Sequence, residues 1–91
     1  MSFYLADARG HVGDLGSAKG YCSFLDWGLT LKKPVLTKFL NRGETKDLDG
    51  LIVALASVKA PNEEDAEVRR AVLAAAKKAR RRHGGCLICA Q

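Results

Sequence analysis

Asp47–Arg82, DLDGLIVALASVKAPNEEDAEVRRAVLAAAKKARRR, decides the fold class. Leu48, Leu51, Ile52, Leu55 and Val58 recur at helical spacing, and Val53, Ala54 and Ala56 widen that face. Asp47 is placed to cap such a helix, its carboxylate accepting from an orphan backbone N–H. A helix this apolar is expected to be the central one of the fold. Leu51-Ile52-Val53 also suits a buried strand, but the length and flanking pattern favour helix. Pro61 interrupts the pattern. Asn62 then caps a fourth and longest helix, running to about Arg82, with Asp65 in a capping-box-like position. Val68, Val72, Ala75 and Ala79 form its narrow stripe, and its alanines favour helix intrinsically.

Towards the N-terminus, Pro34 opens a helix ended by Gly43, with Val35, Leu36, Phe39 and Leu40 as its apolar side. Before it, Ser17 caps a first helix stopped by Gly28, with Ala18, Tyr21, Cys22 and Leu25 on one face. Residues 3–15 read as a β-hairpin turning at Asp7-Ala8-Arg9-Gly10. After Gly84-Gly85, Cys86–Ala90 reads as a short strand able to join that hairpin. The expectation is an α+β fold, predominantly helical, in one domain spanning 1–91.

Fifteen Lys and Arg stand against ten Asp and Glu, a formal net charge of +5. Lys77, Lys78, Arg80, Arg81 and Arg82 hold all of that excess, since the ten remaining cations are matched by the ten acids. Glu63, Glu64, Asp65 and Glu67 open the same helix. The macrodipole favours this order, at about 0.3–1 kcal/mol per well-placed charge, and Asp65–Arg69 and Glu67–Arg70 are spaced to pair along it. Dipole compensation accounts for one or two cations, not five. The surplus points to an acidic partner, either a protein surface or nucleic acid, provided these side chains stand open to solvent.

Other groupings carry weaker signals. Helices flanking Gly43 have the order of a helix-turn-helix, but Glu44, Asp47 and Asp49 would face phosphates. Gly10, Gly13, Gly16 and Gly20 precede or enter a helix, yet match no phosphate-cradling motif. His83, Cys86 and Cys89, with Cys22 or His11, offer donors for zinc, although a strand over 86–90 would send Cys86 and Cys89 to opposite faces. A redox C-x-x-C belongs at a helix N-terminus, whereas this one follows a helix. Buried, inert cysteines are the plainer expectation. Tyr21, Phe24 and Trp27 suit a hot spot or, more simply, the core. No nucleophile–base pair, carboxylate pair or triad is supported, and no cofactor is called for.

The apolar run Leu51–Ala56, exceeded by no other, falls far short of the roughly 18 residues of a membrane span, and Met1–Asp7 lacks the features of a secretory signal. A cytoplasmic protein is expected, with homodimerisation a natural route to further burial.

Leu5-Ala6-Asp7-Ala8-Arg9-Gly10, Asp14-Leu15, Gly20-Tyr21, Phe24-Leu25-Asp26-Trp27 and Gly43-Glu44-Thr45-Lys46-Asp47 resemble segments of small uncharacterised bacteriophage and prophage proteins. The likeness covers about half of the chain and excludes the His83–Cys89 cluster. It implies a viral or mobile-element origin and no defined activity. Together these readings describe a small non-catalytic interaction or accessory protein. The alternatives are a nucleic-acid-binding accessory protein and a zinc-stabilised module.

Overall fold

The computed structural model describes residues 2–82 and the backbone of the strand at 86–90. Its elements are β1 (Ser2–Asp7), β2 (Gly10–Ser17), α1 (Ala18–Thr30), α2 (Pro34–Arg42), β3 (Glu44–Thr45), α3 (Leu48–Ala56), α4 (Glu63–Arg81) and β4 (Cys86–Ala90). The fold is α+β and dominated by helix. The strands form one antiparallel sheet in the order β2-β1-β4-β3.

The expected hairpin forms. Asp7 Oδ1 accepts the Arg9 amide at 2.8 Å and Gly10 takes φ 110°, which together close the turn. Its second strand runs to Ser17, past the expected end. Phe3, Leu5 and Asp7 pair with Gly16, Gly13 and Gly10, and the register skips Leu15 and Val12. A regular strand would send residues three apart to opposite faces. The two bulges absorb the odd residues, so Val12 and Leu15 both enter the core. Gly13 serves a second purpose: a Cβ there would lie 3.2 Å from that of Ala75, so its absence lets α4 lie close over β2.

Ser17, Asp47 and Asn62 cap α1, α3 and α4 as expected, accepting from the amides of Gly20, Gly50 and Asp65. Pro34 opens α2, and Gly43 closes it at φ 73°. Three expectations fail. Gly28 does not stop α1. It lies buried within the helix, where a Cβ would stand 2.6 Å from Leu40 Cδ1, and α1 ends at Thr30 before the left-handed Lys32. The two residues of β3 form a strand between α2 and α3 where no element was expected. They pair with β4 at Glu44↔Leu87 and Thr45↔Cys86.

The third correction concerns the central helix, which is α4 and not α3. α4 packs on β2, β1, α1 and α3, whereas α3 meets α4 on one side and α2 on the other. α4 holds that place because Val68, Val72, Ala75, Ala76 and Ala79 are buried and small, so neighbours approach closely. α3 buries Leu48, Leu51 and Leu55. It leaves Val53, expected to widen its buried face, 68% exposed, and Val58 lies beyond its end. One continuous core joins Leu5, Val12 and Leu15 of the sheet to Phe24, Phe39, Leu51 and Val72 of the helices.

Candidate interaction surface

The first turn of α4 fixes how its basic end is presented. Asn62 Oδ1 accepts the Asp65 amide at 2.8 Å. Asp65 itself turns inward, accepting from Asn62 Nδ2 at 3.3 Å and from Ser23 Oγ of α1 at 2.8 Å. This replaces the expected Asp65–Arg69 pair. Arg69 instead donates through Nε to the Leu55 carbonyl at 2.9 Å, satisfying an acceptor at the end of α3. Arg70 bridges to Glu63 at 2.8 Å, two turns back, rather than to Glu67. α4 is thus pinned to α1 at its start and to α3 along one side.

At its far end the five cations separate into two groups. Arg82 Nε meets Asp7 Oδ2 at 3.0 Å, and its Nη1 donates to the His11 carbonyl at 3.3 Å. The Asp7 side chain is 2% exposed and that of Arg82 21%, so this pair ties the end of α4 to the hairpin and is withdrawn from any partner. Arg80 Nε lies 2.7 Å from Asp49 Oδ1 of α3, with both side chains largely exposed. Lys77, Lys78 and Arg81 are exposed and make no ion pair among the described residues. Four of the five therefore stand open to solvent as expected, and three of those four are unpaired among the described residues. Asp7 and Asp49 are distant in sequence, so nothing local marks them as partners.

Beside this end runs a feature the sequence reading missed. The outward side of α3 presents Asp49, Ile52, Val53 and Ala56, spaced i, i+3, i+4, i+7. Val53 is the exposed large hydrophobic residue of the described chain. On one flank a groove of about 490 Å³ opens between α3 and the start of α2, its lining including Lys33, Pro34, Val35, Val53 and Ala54. On the other flank Ile52 lines a second depression with Lys77, Arg80 and Arg81. The Asp49–Arg80 pair joins the two, since Asp49 borders the groove and Arg80 the depression. The available signal is the apolarity of α3 on nearly every side, which suits an exposed ridge as well as a central helix.

The other candidate groups take structural places. Phe3, Tyr21, Phe24 and Trp27 form a run of tilted aromatic pairs, with centroids 4.9, 6.1 and 5.9 Å apart. Phe24 and Tyr21 are core, and Trp27 packs against it. Burial, and secondarily the nearby Cys22, pushes the Tyr21 phenol well above the ordinary tyrosine range. Gly10 and Gly16 serve turn and bulge, and the Gly20 amide is taken by Ser17. Cys22 is a free, exposed thiol, not the buried residue expected, because α1 turns Tyr21 and Phe24 inward instead. His11 Nε2 lies 2.9 Å from Asp14 Oδ1. Among the described residues no His, Cys, Asp and Glu side chains group as a metal site. His83 and the side chains of Cys86 and Cys89 lie outside the described residues. No helix among the described residues is long and apolar enough to cross a membrane.

Comparison with protein-family models, with curated proteins and with solved structures finds no match to this chain.

Proposed function

We propose that this chain is a non-catalytic interaction protein that docks an acidic macromolecular partner through the basic end of α4. The supporting observation is the exposure of Lys77, Lys78 and Arg81 without carboxylate partners among the described residues, beside the compensated pair Arg80–Asp49. Unpaired cations gathered at one helix end attract anionic surfaces and speed encounter with them. Arg82 is assigned to holding the helix end in place. The resemblance to phage and prophage proteins makes an accessory factor of a mobile element the natural setting.

An acidic protein is favoured over nucleic acid. Three free cations correspond to a salt slope of about −3 on duplex DNA, a small footprint for a dedicated nucleic-acid binder. The apolar ridge beside them is also of little use on a phosphate backbone.

The test is binding of polyglutamate, and separately of duplex DNA, at about 50 and about 200 mM salt. The protein is compared with a Lys77→Glu, Lys78→Glu, Arg81→Glu variant. Polyglutamate binding that weakens with salt and is abolished in the variant is the expected result. Binding equal in both proteins and indifferent to salt overturns the assignment. Tighter, steeply salt-dependent binding of DNA transfers it to nucleic acid.

A further inference from the structure

We infer that the outward side of α3 and the groove beside it receive one amphipathic helix of the partner, apolar along its centre and acidic on both edges. This rests on the reading above and names the partner's chemistry. A nine-residue helix packed between two neighbours needs apolar residues only where it meets them. α3 nevertheless carries Val53 and Ala56 on the side that meets neither, with Val53 68% exposed, and half-buried Ile52 borders this surface where α3 meets α4. The groove beyond Val53 continues that surface into Val35, Pro34 and Ala54.

Charge selects the occupant. Lys33 stands at the α2 flank, and Lys77 and Arg81 stand at the α4 flank. The acid between them, Asp49, is neutralised by Arg80 at 2.7 Å. An apolar strip between two cationic margins complements a helix whose leucine-like side chains recur at i, i+3, i+4 and i+7 with carboxylates to either side. A second copy docking through the same face would set these cations against one another. An anionic bilayer shares the charge requirement, but the shallow groove between α2 and α3, about 490 Å³, offers the side chains of a helix a place to seat that a flat lipid surface has no use for.

The test uses the full chain, labelled with nitrogen-15, and three probes. The first is a helical peptide with a leucine stripe flanked by glutamates. The second is its counterpart with every leucine replaced by serine. The third is vesicles of phosphatidylglycerol and phosphatidylcholine. The leucine peptide is expected to shift the amides of Val35, Val53, Ala54 and Lys77. Val53→Asp, at a position exposed enough to spare the fold, is expected to weaken it by about tenfold or more, as for loss of one anchor. Asp49→Asn, which releases Arg80, is expected to strengthen it by about threefold, the scale of an exposed charge pair. Equal binding of the serine peptide, with Val53→Asp without effect, overturns the groove assignment and leaves the charge-based reading standing. Failure of both peptides removes both. Vesicle binding without leucine-peptide binding overturns the helix assignment in favour of a membrane surface.

Discussion

Asp65 is a buried carboxylate, and its surroundings explain why the fold tolerates it. It sits in the first turn of α4, where the helix dipole favours a negative charge, and it accepts from Ser23 and Asn62. Replacing it with alanine strands the half-buried Ser23 hydroxyl and removes the brace on Asn62. Asp65→Ala is expected to cost roughly 2–3 kcal/mol, a fall of roughly 10–20 °C in a thermal melt, with Asp65→Asn costing less. Tyr21 presents the opposite case, since its buried hydroxyl has no hydrogen-bond partner among the described residues. Tyr21→Phe is therefore expected to leave stability unchanged or raise it by about 1 kcal/mol, read by urea unfolding. The raised phenol pKa gives a sign to the alkaline limb. The neutral phenol suits the folded state, so its contribution is complete below the ordinary tyrosine value of about 10. It declines above that pH, as the unfolded chain ionises first. Tyr21→Phe should flatten that limb, and an unchanged limb would assign it to other groups. Asp7, paired with Arg82, is a second buried carboxylate. Asp7→Ala is expected to cost roughly 3 kcal/mol, because it leaves a largely buried guanidinium without its carboxylate.

Among the elements, β2 and α4 depend on each other. The glycines of β2 repeat every three residues, out of step with a strand's alternation of two, and the bulges reconcile the two periods. Gly13 is where the strand meets Ala75 of α4, and a helix backbone offers no rotamer by which to withdraw. Gly13→Val is expected to push α4 off the sheet, at a cost of about 1–3 kcal/mol in denaturant unfolding. A neutral result would mean that β2 and α4 do not pack so closely. α3 and α4 divide their labours differently from their compositions. α4, the more polar, is central because its narrow alanine stripe admits neighbours on several sides. α3, the more apolar, is peripheral and keeps hydrophobic surface in reserve.

The whole molecule is closed by β4, which lies between β1 and β3. Without it β3 has no partner in the sheet and β1 loses one of its two ladders. A chain truncated after Arg82 is expected to lose its cooperative melt by circular dichroism. A sharp transition at an unchanged temperature would show that the helices and hairpin stand alone. The charge layout also belongs to the molecule as a whole. Two of the five clustered cations are spent on Asp7 and Asp49, and both pairings arise from the docking of α4 against the hairpin and α3.

Local chemistry was readable from the chain by itself. Caps at Ser17, Asp47 and Asn62, the starts and stops at Pro34 and Gly43, the hairpin turn and the helical stripe of α4 depend on neighbours within a few residues, so the order of letters determines them. Which helix lies at the centre, why Gly28 sits inside α1, the pairing of Glu44–Thr45 with β4, the exposure of Cys22 and Val53, and the loss of Arg82 to Asp7 were decided only by tertiary structure. Each depends on which surfaces meet across tens of residues. Periodicity tells that a face is apolar, and only packing tells whether anything covers it.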